Sequence, residues 1–275
     1  MQIKYFPVNS KNSYVIFQDN DKIEELEPFM KENKLSRIIF SGFLGYSKSV
    51  LPFNEDIDLI EEISIQCSDI TDLTSLYHLS NIKKISIEEN AVAHPFDIRK
   101  IAKLTDFFTD DTLKIDGFFD HPTLKQLHIE PKKTKKLDIH NENNILESLS
   151  IANSHILDLS SCKKLTQLKG LYIAYLPKIE NINFILDMPT LTDIEICSCK
   201  KIDNLIATLA QKNNLEKLTL WNQGNLDSII PLSKLEHLTT LNIWEQTKII
   251  DGKISFLEEM PNLKKIDIRK YTHYH

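Results

Sequence analysis

The feature that most constrains the fold of this chain is a repeated triplet of apolar residues. Each triplet has Leu, Ile or Phe at a first position, again three residues later, and again two residues after that. Eleven such units follow one another at spacings of 20 to 25 residues, with Thr109 in one third position. The units begin at Leu35, Ile60, Ile82, Leu104, Leu124, Leu146, Leu168, Leu191, Leu215, Leu238 and Leu263. This period predicts a solenoid in which each unit stacks on the next.

The last two apolar positions of each unit are two residues apart, which is the side-chain period of a β-strand. Each unit is therefore expected to contribute one short strand, and the strands to form a parallel sheet of about eleven members. Further apolar residues return the chain along the opposite side. Residues 96–104 and 204–213 favour helices there, whereas the other returns are expected to be irregular or short extended turns.

The stretch 70–87, ITDLTSLYHLSNIKKISI, resembles the repeats of bacterial internalins, which belong to the leucine-rich-repeat family and have units of about 22 residues. The resemblance covers residues 35–270 and implies an α/β fold, a horseshoe or arc with a concave parallel sheet and a mixed helical and irregular convex side. The Asn that the family places three residues after the third apolar position occurs only as Asn90. We therefore do not expect an asparagine ladder. Six of the other ten slots hold Ser68, Ser154, Leu176, Cys199, Gln223 and Gln246.

The two ends of the chain depart from the repeat. Residues 1–34 are predicted to form an N-terminal cap, with strands over 3–8 and 13–17, a polar turn over 9–12 and a helix over 23–33. Residues 271–275 are expected to be a short free tail. The last strand would then either stay a polar edge or pair with another chain, so we expect a monomer or a weak end-to-end dimer.

Composition excludes several classes of function. The net charge is −6, and only Arg37, Arg99 and Arg269 provide guanidinium groups, which disfavours nucleic-acid binding. No apolar run is long enough to span a membrane, and no signal sequence begins the chain. Glycine-rich phosphate loops and zinc-ligand spacings do not occur. We expect a cytoplasmic bacterial protein with no cofactor, no metal, and no nucleic-acid or membrane partner.

The residues between the buried positions of each strand are predicted to face the concave side. Two groups stand out there, and we name them the aromatic patch and the acidic stripe. The aromatic patch consists of Tyr172, Tyr175, Trp221 and Trp244. The acidic stripe consists of Glu62, Glu88, Asp106, Asp110, Glu130, Asp193 and Glu195. Both groups also have a plain structural interpretation, since the rings can simply pack together and the carboxylates can form a solvated face.

These features favour a non-enzymatic module that recognises another protein on its concave face. The aromatic patch would anchor the partner, because Trp and Tyr are enriched at binding hot spots. The acidic stripe would orient a basic partner. One hypothesis is an immunity or antitoxin protein that neutralises a cationic toxin. The alternatives are an exported internalin-like effector or adhesion protein, and an enzyme or enzyme regulator, for which no catalytic set of residues is evident.

Overall fold

The computed structural model describes residues 1–4, 13–88, 92–110, 112, 114–140 and 145–275. They form two compact units, unit 1 (Met1–Glu130) and unit 2 (Pro131–His275). The boundary falls inside the segment expected to be one solenoid, directly before the lysine-rich run 131–136. Each unit has its own set of stacked strands, and in each we call the solvent-facing side of the sheet the concave face, as in leucine-rich-repeat proteins.

The described part of unit 1 contains a sheet of six parallel strands and one antiparallel edge strand. Its strands are β1 (Gln2–Lys4), β2 (Tyr14–Phe17), β3 (Arg37–Ser41), β4 (Glu62–Gln66), β5 (Lys84–Glu88), β7 (Asp106–Thr109) and β9 (Gln126–Ile129). A small second sheet pairs β6 (Phe96–Asp97) with β8 (Ile115–Asp116). Because β2 pairs in parallel with β3, the parallel sheet begins one strand before the first apolar triplet.

The sheet of unit 2 has six strands, all parallel. They are β10 (Ser148–Ala152), β11 (Gly170–Ala174), β12 (Asp193–Cys197), β13 (Lys217–Trp221), β15 (Thr240–Trp244) and β17 (Lys265–Ile268). Behind them β14 (Asn225–Leu226) pairs with β16 (Lys248–Ile249). Equivalent positions of successive triplets pair directly, as Leu149 does with Leu171. The predicted fold, with its parallel strands in repeat register, is confirmed.

The apolar triplets form the core of each unit. Ile63, Ile65 and Ile85 are at most 2% exposed, and Thr109, in the third position of its unit, is fully buried. Burying one such aliphatic side chain contributes about 1.5–3 kcal/mol, and stacking repeats this contribution from strand to strand. In β17, the last strand of the sheet, Ile266 is 44% exposed because no later strand covers it.

The returns are built mainly of single 3₁₀ turns. Apolar residues spaced by three, such as Ile70, Leu73 and Leu76, are fully buried, which fits the three residues per turn of a 3₁₀-helix. The helix expected over 96–104 is wrong, since only Ile98–Lys100 makes a 3₁₀ turn; within 204–213, α2 (Leu205–Leu209) is α-helical. The other 3₁₀ turns are Ile23–Glu25, Gly42–Leu44, Thr74–His78, Ser160–Lys164, Asn183–Asp187, Ile230–Lys234 and Ser255–Glu259.

The N-terminal segment contains an antiparallel strand pair and a helix. β1 pairs with β2, and the 3₁₀ turn Ile23–Glu25 leads into α1 (Leu26–Asn33), which buries Leu26 and Met30. Residues 5–12, with the predicted turn and most of the predicted first strand, lie outside the described residues, as does Asn90.

The last five residues are not a free tail, and that expectation is wrong. His275 donates its backbone N–H to the carbonyl of Gly252 (2.9 Å), and its own carbonyl accepts from the N–H groups of Ile254 (2.9 Å) and Ser255 (3.1 Å). The N–H of Ile249 donates to the hydroxyl of Tyr274 (2.8 Å). The tail therefore folds back beside β16. It lies on the side of β16 that faces away from β14, and so it occupies the position that the return segment of a further repeat would take.

Candidate binding surface

Both tryptophans of the chain lie on the concave face of unit 2. Trp221 and Trp244 end β13 and β15 and are partners in the register of these strands. Their ring centroids are 6.0 Å apart and their planes cross at 82°, the edge-to-face geometry that aromatic pairs favour. Trp221 is 37% exposed. The pair thus stabilises itself and still presents ring surface to solvent.

Tyr175 lies in a row of left-handed residues that directly follow the strands of unit 2. The row is Asn153, Tyr175, Ser198, Asn222 and Glu245, with φ between 49° and 55°. Their backbone groups extend the hydrogen bonding of the parallel sheet by one residue. For example, the N–H of Tyr175 donates to the carbonyl of Cys197 (2.9 Å). Tyr175 is 54% exposed, and the nearby Cys197 thiol raises its pKa.

Tyr172 is turned away from the tryptophans. A Cβ at Gly170 would lie 2.9 Å from the Tyr172 hydroxyl oxygen, so the ring lies over this glycine on the same strand. The hydroxyl donates to Oδ2 of Asp193 (3.3 Å), and burial raises the pKa of Tyr172 to about 12. The aromatic patch therefore comprises the tryptophan pair with Tyr175 at one edge, and a separate Tyr172 facing the acidic residues.

Three members of the acidic stripe are paired with cations on neighbouring strands. The ion pairs are Arg37–Glu62 (3.1 Å), Lys84–Asp106 (3.2 Å) and Lys217–Asp193 (3.6 Å). Glu62 also accepts a hydrogen bond from the hydroxyl of Tyr14, and burial raises the pKa of Tyr14 to about 12. Charges of opposite sign thus stand opposite each other on neighbouring strands within each unit, and part of the stripe's charge is compensated within the chain.

The other three stripe residues of unit 1 lie near the carboxyl ends of its strands. Oε1 of Glu88 accepts from the Ser86 hydroxyl at 3.1 Å, and Asp110 is half-buried after β7. Glu130 lies 3.9 Å from Nε2 of His128, whose ring stacks on Phe108 at 4.2 Å. Desolvation lowers the pKa of His128. Glu130 therefore lies beside the stacked rings of Phe108 and His128, which are register partners on β7 and β9.

Glu195 is the member of the stripe that stays unpaired. It is half-buried on β12, between Tyr172 and Thr219 of the adjacent strands. Desolvation raises its pKa, and the charge of Asp193 raises it further. In the described ranges no hydrogen bond or ion pair reaches this carboxylate. A half-buried carboxylate of this kind favours a cationic ligand.

A polar ladder fixes the strand ends beneath the tryptophans, although asparagine is missing from it. Nε2 of Gln223 donates to the carbonyls of Ile196 and Trp221, both at 2.8 Å. Ser154 and Cys199 donate to backbone carbonyls from the equivalent slots of their units. The backbone that carries Trp221 is therefore held by buried hydrogen bonds.

Phe43 is an exposed aromatic residue that the repeat pattern did not reveal. It is 86% exposed on the 3₁₀ turn Gly42–Leu44. The turn is held in place because Nε2 of Gln18 donates to the carbonyl of Leu44 (2.6 Å). Two features of the sequence could have indicated this exposed turn. They are the glycines Gly42 and Gly45, and the long spacing of 25 residues between the first and second units.

These parallel sheets and 3₁₀ returns have a leucine-rich-repeat fold. The chain is similar over 92% of its length to the functional domain of InlJ from Listeria monocytogenes, which includes a cysteine ladder, with a TM-score of 0.52, 15% identity and 62% of that chain covered. It is also similar over 93% of its length to a chain of the mouse RP105/MD-1 complex, with a TM-score of 0.52, 17% identity and 50% coverage. A chain of the TLR13–ssRNA13 complex matches with a TM-score of 0.58, 13% identity, and 93% of this chain and 37% of that one covered.

At these identities the similarity concerns the fold. No protein-family model and no curated protein matches the sequence. Among the residues that the structure describes, no helix is long and apolar enough to cross a bilayer. Within the described residues, no group of three or more His, Cys, Asp or Glu side chains is arranged to hold a metal ion.

Proposed function

We propose that this chain is a non-enzymatic protein-recognition module that binds its partner on the concave face of unit 2. The observation that carries the proposal is the pair of Trp221, which is 37% exposed, and the half-buried Trp244, on a sheet that Gln223 helps to fix. A preformed aromatic surface loses little conformational entropy on binding, and tryptophan is the residue type most enriched among binding hot spots. The leucine-rich-repeat fold supports a recognition role in general, because it presents a broad sheet surface.

The partner we propose is a protein with a basic surface. The net charge of −6 and the unpaired carboxylate of Glu195 support this choice. The ion pairs at Glu62, Asp106 and Asp193 reduce the contribution of the rest of the stripe. A cytoplasmic immunity or antitoxin protein that sequesters a cationic toxin, as a monomer or a weak end-to-end dimer, fits this chemistry. The similarity to InlJ concerns the fold and gives no support to an exported role.

The test is capture of a partner from native lysate with three baits: wild type, the double variant Trp221→Ala/Trp244→Ala, and Phe43→Ala. Phe43 is the matched control, because it is an exposed ring in unit 1. Circular dichroism first establishes that all baits are folded. We expect a captured protein that is retained by Phe43→Ala and lost by the double variant. Retention by the double variant would refute the assignment of the site.

A further inference from the structure

The middle positions of the unit 2 strands form a row of hydrogen-bonding side chains across the sheet. We call it the middle row: Tyr172, Glu195, Thr219, Asn242 and Asp267, which are register partners from β11 to β17. The row contains two carboxylates and no lysine or arginine. The two adjacent cations have partners of their own: Lys217 is 3.6 Å from Asp193, and Arg269, directly after β17, donates to the carbonyl of Glu245 at 3.3 Å. The middle row is thus rich in acceptors and lacks a cationic donor of its own.

Asn242 adds a buried acceptor to this row. It is 7% exposed, and its Nδ2 donates to Oγ1 of Thr219 at 3.0 Å. Its Oδ1 is buried and has no hydrogen-bond partner within the described residues. An unsatisfied buried acceptor is unfavourable, so a ligand that supplies a donor to it would gain affinity.

The tryptophan pair borders the same place. Trp221 lies two residues beyond Thr219 on β13, and Trp244 lies two residues beyond Asn242 on β15. Residues two apart on a strand share a face and are about 6.6 Å apart. The acceptors of the middle row and the ring surfaces of the pair are therefore neighbours on one face.

We propose that this place binds one arginine side chain of the partner, with the guanidinium group against the tryptophan rings and hydrogen-bonded to Glu195 and to Oδ1 of Asn242. This inference rests on the proposed function and specifies the group that is recognised. A guanidinium fits better than an ammonium, because its planar fork of five N–H donors can bond two separate acceptors while its face stacks on an aromatic ring.

The test uses tryptophan fluorescence, because Trp221 and Trp244 are the only tryptophans of the chain and both border the site. The probes are the blocked tripeptides acetyl-Gly-Arg-Gly-amide, its lysine analogue and its uncharged citrulline analogue, titrated at constant ionic strength. We expect a saturable change with the arginine peptide, a weaker one with lysine and none with citrulline. Citrulline keeps the shape of arginine and lacks its charge.

Glu195→Gln is the decisive variant, since it removes the charge and keeps the shape of the side chain. We expect it to weaken arginine binding by about tenfold, the loss expected for one charge-assisted hydrogen bond. Glu258→Gln is the matched control, because Glu258 is exposed on the 3₁₀ turn Ser255–Glu259 and its loss changes the net charge equally. Asn242→Asp, which places a full charge beside the rings, is expected to tighten binding.

No saturable response of the wild type, an equal response to lysine, or unchanged binding in Glu195→Gln would overturn the arginine site. These outcomes are separable from failure of the proposed function. Partner capture that depends on Trp221 and Trp244, together with no arginine response, would retain the recognition surface and reject this site. An arginine response that Glu195→Gln abolishes and Glu258→Gln preserves would support it.

Discussion

Replacing Gly252 by alanine should detach the C-terminal tail. Gly252 has φ +65°, and a Cβ built there would clash with the carbonyl oxygen of His273 and lie 2.9 Å from its Cδ2. The first of these atoms belongs to the backbone, so a side-chain rotation cannot relieve the contact. Residues 271–275 must move instead, and the hydrogen bonds that the tail makes to the last return segment are lost with them.

The expected cost has two parts. Alanine in a left-handed conformation costs about 1–2 kcal/mol. Displacing the tail removes three backbone hydrogen bonds, one to Gly252 and two to His275, at about 1 kcal/mol each. We therefore expect Gly252→Ala to lower the free energy of unfolding of the terminal repeat by about 4–5 kcal/mol.

Gly224→Ala is the matched control, because Gly224 has φ +79° and a Cβ there meets nothing within 4 Å. It should cost only the conformational part, about 1–2 kcal/mol. Stability is measured by urea unfolding, and hydrogen exchange at the amides of Ile254 and Ser255 reports the terminal repeat separately, because repeat proteins can fray from one end. Equal losses in the two variants, or unchanged exchange in Gly252→Ala, would show the reasoning to be wrong.

Three further predictions concern buried groups. Gln223→Leu should destabilise unit 2 by about 2–4 kcal/mol in urea unfolding, because two carbonyls lose a buried donor. The control is Gln211→Leu at an exposed site, and an equal or larger loss of stability in that variant would contradict the prediction. His121 donates from Nε2 to the Ile98 carbonyl (3.0 Å), and burial lowers its pKa. The folded state therefore favours the neutral ring. The contribution of His121 to the free energy of unfolding should be fully present above about pH 6.5 and decrease as the pH falls below it. An equal pH dependence of unfolding in wild type and His121→Gln would refute this. All four cysteines are free and buried, so a thiol reagent should label none in the folded protein and four after unfolding, and rapid labelling of the native protein would count against the fold around them.

The apolar triplets were sufficient to predict the strands and their register, because a period of two residues within a unit and a near-constant spacing between units leave few other arrangements. The three-residue spacing of Ile70, Leu73 and Leu76 suits a 3₁₀ return, but it was not used as a signal and no 3₁₀ turns were expected. The strand over 13–17 was predicted and is β2, but its place in the parallel sheet was not, because Val15 and Phe17 lack the preceding member of the triplet. Parallel pairing with β3 is a tertiary contact that local pattern does not encode.

The polar parts of the candidate surface were harder to predict. Register placed Trp221 beside Trp244, and the structure has the same pairing. The pairing of Arg37 with Glu62 depends on side-chain conformations, and so does the orientation of Tyr172 over Gly170. The folded-back tail depends on backbone hydrogen bonds, which any sequence can supply. These features follow from geometry in three dimensions rather than from residue type.

In the left-handed row after the strands of unit 2, the hydrogen bonds that hold the backbone do not involve the side chains. Its members are anchored by backbone groups, as Asn153 is to the Ala174 carbonyl (3.1 Å) and Ser198 to the Trp221 carbonyl (2.9 Å). These backbone hydrogen bonds therefore form whatever the side chain is, and Asn, Tyr, Ser and Glu all occupy the position. Substitutions at this rim can therefore change the chemistry of the surface while the stacked triplets beneath remain untouched.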